Sequence, residues 1–497
     1  MNIRLKPTLM VMSSAALLLA LHGCGGGGEE ENTSSRANQI VVNSPAALAQ
    51  LSADSYDDNV NGLITGGTLK RWAGDWVNQR PAGVTGKLVI LQVTAGPAGA
   101  EYIASNDATV FTYLSPSSEW TQTRSNGVIE TQSMVPDGAA MDALLKKYNI
   151  DPARDMIVVA MGTGSNPNAM GQGRIWYALR YWGVDKTHLA LLNGGHQWLN
   201  GNGLAAADFQ AAARVAPNSR TATIKDFLVD NTQLQATVQD LLAAVPSSDS
   251  NVKNDGVFIW DARSMGQYSA GMLVERGEDT DSNTTGNQSC ASAYCTPVDV
   301  NNYKWTFQNN GSRQGHPWGT LQLQYTHLLD PAMGFAYRPK AVLAAYLTGT
   351  PDANGIGFVD GSNSPVGVNN AYQEGDVIYV YCETTFRAMI TGVASAVILG
   401  KPTRFYDGAM VEWNSLSHIA DLNGNAILPI NSPWRTDLKS YFRPAMNTAD
   451  VALRTIKDPY ARSTNSIVNA DKAYKTGESS EANGSDNDGL PPNPCGG

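Results

Sequence analysis

Residues 376–400 read DVIYVYCETTFRAMITGVASAVILG. Val377 to Tyr381 are β-branched and aromatic, the pattern of a buried strand. Met389, Ile390, Val393, Ala394, Val397 and Ile398 then recur at spacings of three and four. That spacing predicts a helix over residues 387–399, with Gly400 as its stop. Between strand and helix lies a tight loop, and Cys382 is its first residue. A cysteine there faces the unpaired N–H groups of the helix start. Such surroundings lower a thiol pKa and bind anions. The competing reading is a small apolar residue at a strand end, which is how most free cysteines behave.

The same order occurs twice along the chain. In the second half, Gly400 is followed by a strand at Arg404-Phe405-Tyr406, then Asp407-Gly408, with Trp413 beyond. In the first half a strand at 155–160 leads through a loop at 161–172 to a helix at 174–182. Gly183 closes that helix, and a strand at 189–192 runs into Asn193-Gly194-Gly195, with Trp198 beyond. Strands at 86–93 and 256–261 open the two halves, and helices are predicted at 138–148 and 339–347. The repeat of roughly 200 residues means duplicated domains rather than a solenoid. Strands alternating with helices predict an α/β fold: in each half, a parallel sheet with helices on both faces.

Composition sets the class. A chain of 497 residues exceeds one ordinary core. A net charge of −10 with 16% charged residues argues against nucleic acid as a partner. Arg4 and Lys6 precede an apolar run at 9–21, and Leu21-His22-Gly23-Cys24 follows. This resembles a bacterial lipobox, although His22 departs from the pattern. Residues 1–23 are thus expected to be a lipoprotein signal peptide and Cys24 the lipidated residue. Gly25 follows Cys24 in place of the aspartate that retains lipoproteins at the inner membrane. The resemblance therefore implies the outer membrane, facing the periplasm or the cell surface. The expected layout is a tether and linker at 24–60, domains at 61–245 and 246–470, and a disordered tail at 471–497. A polar insertion runs from about residue 275 to 312. In an oxidising compartment its Cys290 and Cys295 are candidates for a small-loop disulfide, and Cys495 is expected to be free. No metal site is read. Zinc lacks a second ligand pair near these cysteines. Asp279-Thr280-Asp281-Ser282-Asn283 lacks the glycine and closing glutamate of a calcium loop. No cofactor is predicted.

Four motifs in the second half stand in a telling order. They are Asp261-Ala262-Arg263, Gly315-His316-Pro317-Trp318-Gly319, Tyr381-Cys382, and Tyr406-Asp407-Gly408 with Glu412-Trp413. With these, residues 60–420 resemble the tandem-domain rhodaneses, the thiosulfate and mercaptopyruvate sulfurtransferases. The resemblance implies that Cys382 carries a persulfide. It also implies that the loop 382–387 (Glu383, Thr384, Thr385, Phe386 and Arg387), with Arg263, binds the substrate. Arg263 also reads as the buried partner of a carboxylate, and His316 as a structural histidine. Arg174-Ile175-Trp176, Leu179-Arg180 and Leu192-Asn193-Gly194-Gly195 resemble the family's non-catalytic first domain. Its loop near Met161-Gly162-Thr163 has no cysteine, so that half is expected to complete the cleft as a structural partner.

The spacing from Cys382 to Arg387 is Cys-x4-Arg, the sulfurtransferase length. The related phosphatases use Cys-x5-Arg. Four residues depart from the family pattern: Thr385 stands for a glycine, Glu383 and Thr384 for cations, and Gln267 for a further cation. The loop is therefore poor in positive charge for a dianion such as thiosulfate. The implied partners are a small sulfur- or selenium-containing anion and a thiol or cyanide-like acceptor. The membrane is a partner through the lipid, and proteins of an outer-membrane assembly are another. The alternative is a non-enzymatic rhodanese-fold scaffold or binding lipoprotein.

Overall fold

The computed structural model describes residues 38–106, 108–126, 130–219, 222–269, 273–275, 295–297, 315–415, 419–420, 454–455 and 466–477. The first half contributes strands β1 (Gly62–Ile64), β2 (Leu88–Gln92), β3 (Val110–Leu114), β4 (Met156–Ala160) and β5 (Leu189–Leu192). The second contributes β6 (Gln235–Ala236), β7 (Val257–Asp261), β8 (Leu321–Gln322), β9 (Val377–Tyr381) and β10 (Thr403–Tyr406). Each set forms one five-stranded sheet, and all pairings are parallel. The spatial orders are β1-β5-β4-β2-β3 and β6-β10-β9-β7-β8. Both follow the permutation first, fifth, fourth, second, third. The fold is therefore α/β, with two tandem parallel sheets of identical topology.

The main helices are α1 (Gly138–Lys147), α2 (Asn166–Tyr181), α3 (Lys340–Leu347), α4 (Phe386–Val393), α5 (Ala409–Ser415) and α6 (Ser466–Thr476). Buried strands alternate their faces. Ile157 and Val159 of β4 point into the central core, and Met156, Val158 and Ala160 into a second apolar cluster on the sheet's other side. The central core is continuous between the halves, running from Leu91, Val159 and Ile175 to Val380, Ile390 and Phe405. Helices α2 and α4 meet inside it. A Cβ on Gly173 would lie 2.8 Å from the Cβ of Met389, so this crossing requires glycine.

Several expectations are corrected. Strands β1 and β6 escape the sequence pattern because they are edge strands of three and two residues. Since β6 joins the second sheet, that sheet reaches back across the expected boundary at 245/246. Helix α2 begins at Asn166, inside the expected loop. The Ser165 side chain caps it by accepting from the Asn168 N–H, and Pro167 occupies the first turn. Gly171 and Gly173 had interrupted the apolar pattern. Helix α4 continues as a π-helical turn, Ala394–Ile398, and ends at Gly400 with φ of +66°. The expected linker is part of the folded body from residue 40 onward. Val41–Val42 pairs with Val229–Asp230, and the Ser52 hydroxyl donates to the Val397 carbonyl at 3.0 Å. The expected tail likewise begins inside α6, where Asp471 pairs with Arg124 at 2.6 Å and accepts from the Tyr181 hydroxyl at 2.7 Å. The signal segment 1–23, Cys24, Cys290, Cys495, residues 279–284 and residues 478–497 lie outside the described residues. Cys295 opens a short strand, Cys295–Pro297, that pairs antiparallel with Leu273–Glu275. Among the described residues no helix is long and apolar enough to cross a membrane.

Candidate active site

Cys382 follows β9 directly. It has the strand parity of Ile378 and Val380, so it faces the central core and is 1% exposed. The loop 382–385 is pinned at both ends. Helix α5 donates from the Met410 N–H to the Cys382 carbonyl at 3.1 Å and from the Val411 N–H to the Glu383 carbonyl at 3.3 Å. The Thr385 hydroxyl lies 2.9 Å from the carbonyls of both Tyr406 and Asp407, tying the helix start to the end of β10. Thr385 has φ of +68°, the left-handed region that favours glycine. Holding a threonine there costs on the order of 1–2 kcal/mol. Its side chain is turned to the strand end and does not cap α4. Among the described residues, the backbone N–H groups of Thr384, Thr385, Phe386 and Arg387 meet no acceptor. They are the orphan donors of a helix start, two to five residues after Cys382.

The charges around the loop are engaged. Arg263, fully buried, holds Asp261 with Nε at 2.9 and 3.0 Å and Nη2 at 2.5 Å. Nη2 also donates to the Gly315 carbonyl at 2.5 Å, and the Tyr381 hydroxyl donates to Asp261 at 3.0 Å. This is the carboxylate-partner reading of Arg263. Its approach to the loop is a 3.9 Å separation from Glu383. Arg387 donates to the Gln267 side chain at 2.5 Å, and Gln267 donates onward to Glu383 at 3.4 Å. Gln267 thus links the second and last positions of the loop. Thr384 and Phe386 are half-buried. His316 stacks on Tyr268 with ring centres 3.7 Å apart, a structural role. Among the described residues no group of three His, Cys, Asp or Glu side chains converges on one point.

Beyond the loop lies a network that the sequence did not show. Asp407, fully buried, accepts from Arg174 Nη1 at 2.6 Å and Nη2 at 3.2 Å, and from the Val135 N–H at 2.6 Å. Both donors come from the first half. Glu412 on α5 is buried and accepts from Asn126. Burial pushes its carboxyl up to about 7, against the nearby Tyr406 hydroxyl and the Asn126 hydrogen bond, which favour the charge. The Tyr-Asp-Gly…Glu-Trp motif was the available signal for both carboxylates. Their partners are far away in sequence and left no mark.

The corresponding loop of the first half, residues 161–165, is chemically closed. Met161 holds the register position of Cys382. The Thr163 N–H donates to the Ala95 carbonyl at 3.2 Å. The Gly164 N–H donates to the Gln197 side chain at 2.8 Å, and Gln197 returns a bond to the Gly164 carbonyl at 2.9 Å.

No family model matches the sequence, and no curated protein matches it. Solved structures of similar shape exist. The Tum1 protein of Saccharomyces cerevisiae is 14% identical over 71% of this chain and 95% of its own, with a TM-score of 0.42. SseA of Escherichia coli, described as a 3-mercaptopyruvate sulfotransferase with the "rhodanese" fold, is 15% identical over 70% and 98%, also at 0.42. EanB in complex with ergothioneine is 11% identical over 71% and 68%, at 0.43. These values are too low to carry a function to this chain.

Proposed function

We propose that the chain is a rhodanese-like sulfurtransferase that forms a persulfide on Cys382. The carrying observation is the placement of this thiol at a β-strand end, in the loop leading to a helix start whose backbone donors have no other acceptor among the described residues. Oriented N–H groups stabilise a thiolate and an anionic sulfur at the same point. The Cys382 thiolate attacks the electrophilic sulfur of a donor. A bond forms between the two sulfurs, and the bond from that sulfur to the donor's leaving group breaks. The electron pair leaves with the donor remnant: sulfite from thiosulfate, an enolate from mercaptopyruvate, or a thiolate from a persulfide. A thiophilic acceptor, a thiol or a cyanide-like nucleophile, then takes the outer sulfur and frees the thiolate. Selenium in place of sulfur follows the same steps. Glu383 and the bridged Arg387 and Gln267 leave the loop poorly suited to thiosulfate, so a donor of lower charge fits better. Anchoring through a lipid on Cys24 at the outer membrane is part of this proposal, and the Leu21-His22-Gly23-Cys24 segment supports it.

The test is the mass of the intact protein after incubation with thiosulfate, mercaptopyruvate or a low-molecular-weight persulfide. One added sulfur on the wild type and none on Cys382→Ser is expected, with mercaptopyruvate or the persulfide outperforming thiosulfate. No added sulfur from any donor overturns the enzymatic reading and leaves the non-catalytic scaffold. Release into the soluble fraction after deletion of residues 24–28 checks the anchor.

A further inference from the structure

Arg174 belongs to the half without the cysteine, yet it reaches the cysteine loop by two routes. It is wholly buried on α2. Its two terminal nitrogens grip Asp407 at 2.6 and 3.2 Å. The main-chain carbonyl of Asp407 then receives the Thr385 hydroxyl at 2.9 Å, one residue before α4. The second route is direct. The Arg174 guanidinium lies 5.9 Å from the centre of the Phe386 ring, the first residue of α4. The remaining nitrogen, Nε, lies 3.4 Å from the Trp120 carbonyl, so all three guanidinium nitrogens are engaged.

Stability alone does not account for this pair. Apolar residues of similar volume are often as stabilising as a buried ion pair, because desolvation offsets the Coulombic attraction. What a planar, two-toothed grip adds is fixed orientation. The opposite side of the molecule provides the control. There Asn193 stands after β5 as Asp407 stands after β10, and it accepts from the Tyr337 N–H at 2.8 Å. Val135 gives Asp407 the matching bond at 2.6 Å. The cross-half hydrogen bond is thus present on both sides. The charge, and the arginine that meets it, stand only on the side that carries the thiol.

We infer that Arg174 is a positioning residue for Cys382: from the first half, through Asp407 and Thr385 and against Phe386, it holds the loop in its sulfur-accepting geometry. This inference rests on the sulfurtransferase reading for its catalytic meaning, but not for its test. The test measures alkylation of Cys382 by a small, unselective reagent in the full chain, well below the thermal transition. Wild type, Arg174→Gln, Arg174→Lys, Asp407→Asn and Leu69→Ala are compared, with Cys382→Ser as the blank. Leu69 is a core residue on the far side of the first sheet, in the cluster that does not contain Cys382, and serves as a destabilised control. Loosening the latch should raise the alkylation rate of Arg174→Gln and Asp407→Asn roughly tenfold through local opening. Arg174→Lys should rise less, and Leu69→Ala should stay within twofold. Donor-dependent persulfide formation should move the other way and fall in the same two variants. Equal rises in Arg174→Gln and Leu69→Ala, or no rise in Arg174→Gln, overturn the inference. If Arg174→Gln does not fold, Arg174→Lys and Asp407→Asn decide it by the same criteria. A wild type that never gains sulfur while the alkylation pattern holds overturns the proposed chemistry and keeps the positioning role.

Discussion

The two strand-to-helix loops share a place in identical sheets and differ in where their backbone donors go. In the first half, Gln197 and Ala95 consume the N–H groups of Gly164 and Thr163. Carbonyls are taken in both loops: Thr94 and His196 donate to those of Met161 and Gly162, and α5 donates to those of Cys382 and Glu383; in the second loop, however, the donors of residues 384–387 are left without an acceptor among the described residues. A loop whose donors are satisfied packs well and has nothing to offer an anion. A loop whose donors are left open can offer them to an anion. The two copies thus differ in the fate of their backbone donors as much as in the cysteine.

The comparison breaks most visibly at Asp407. Asp407→Ala leaves Arg174 buried without its carboxylate and should cost about 3–5 kcal/mol, read as a lowered urea midpoint. Asn193→Ala, on the uncharged side, should cost far less. Equal losses would remove the asymmetry between the halves.

A second asymmetry is Glu412. The short helix His196–Leu199, which follows β5, carries no carboxylate. The Glu412 carboxyl is raised by burial from an ordinary 4.5 to about 7. The folded chain therefore keeps a proton that the unfolded chain has released between those values. The contribution to stability is fully present below pH ~4.5 and is lost as pH rises through about 7, by ~3 kcal/mol in all. Urea midpoints measured across that window should decline for the wild type, and Glu412→Gln should flatten the decline. A slope unchanged by the substitution would mean that another group carries it.

The smallest effect sharpens the comparison most. Met161→Cys in a Cys382→Ser background places a thiol at the matching register. It should cost on the order of 1–3 kcal/mol for the lost volume and gain no sulfur from any donor, by intact mass. A persulfide at residue 161 as readily formed as at Cys382 would show that loop donors do not matter.

The sequence by itself determined the duplication, the parallel α/β class and the position of Cys382 at a strand end. These rest on local signals: β-branched runs, apolar spacing of three and four, and glycine at chain reversals. It also marked Thr385, Glu383 and Gln267 as departures. The edge strands β1 and β6 were illegible because two or three residues carry no period. The docking of residues 40–60 and of α6 was illegible because their buried faces are small and set among polar residues. Only the tertiary structure decided that Arg263 serves Asp261, that Arg174 serves Asp407, and that Asn126 holds Glu412. A buried charge must find its counter-charge or hydrogen bonds wherever the fold brings them. For Asp407 that partner lies 233 residues away in sequence, on a helix of the other half.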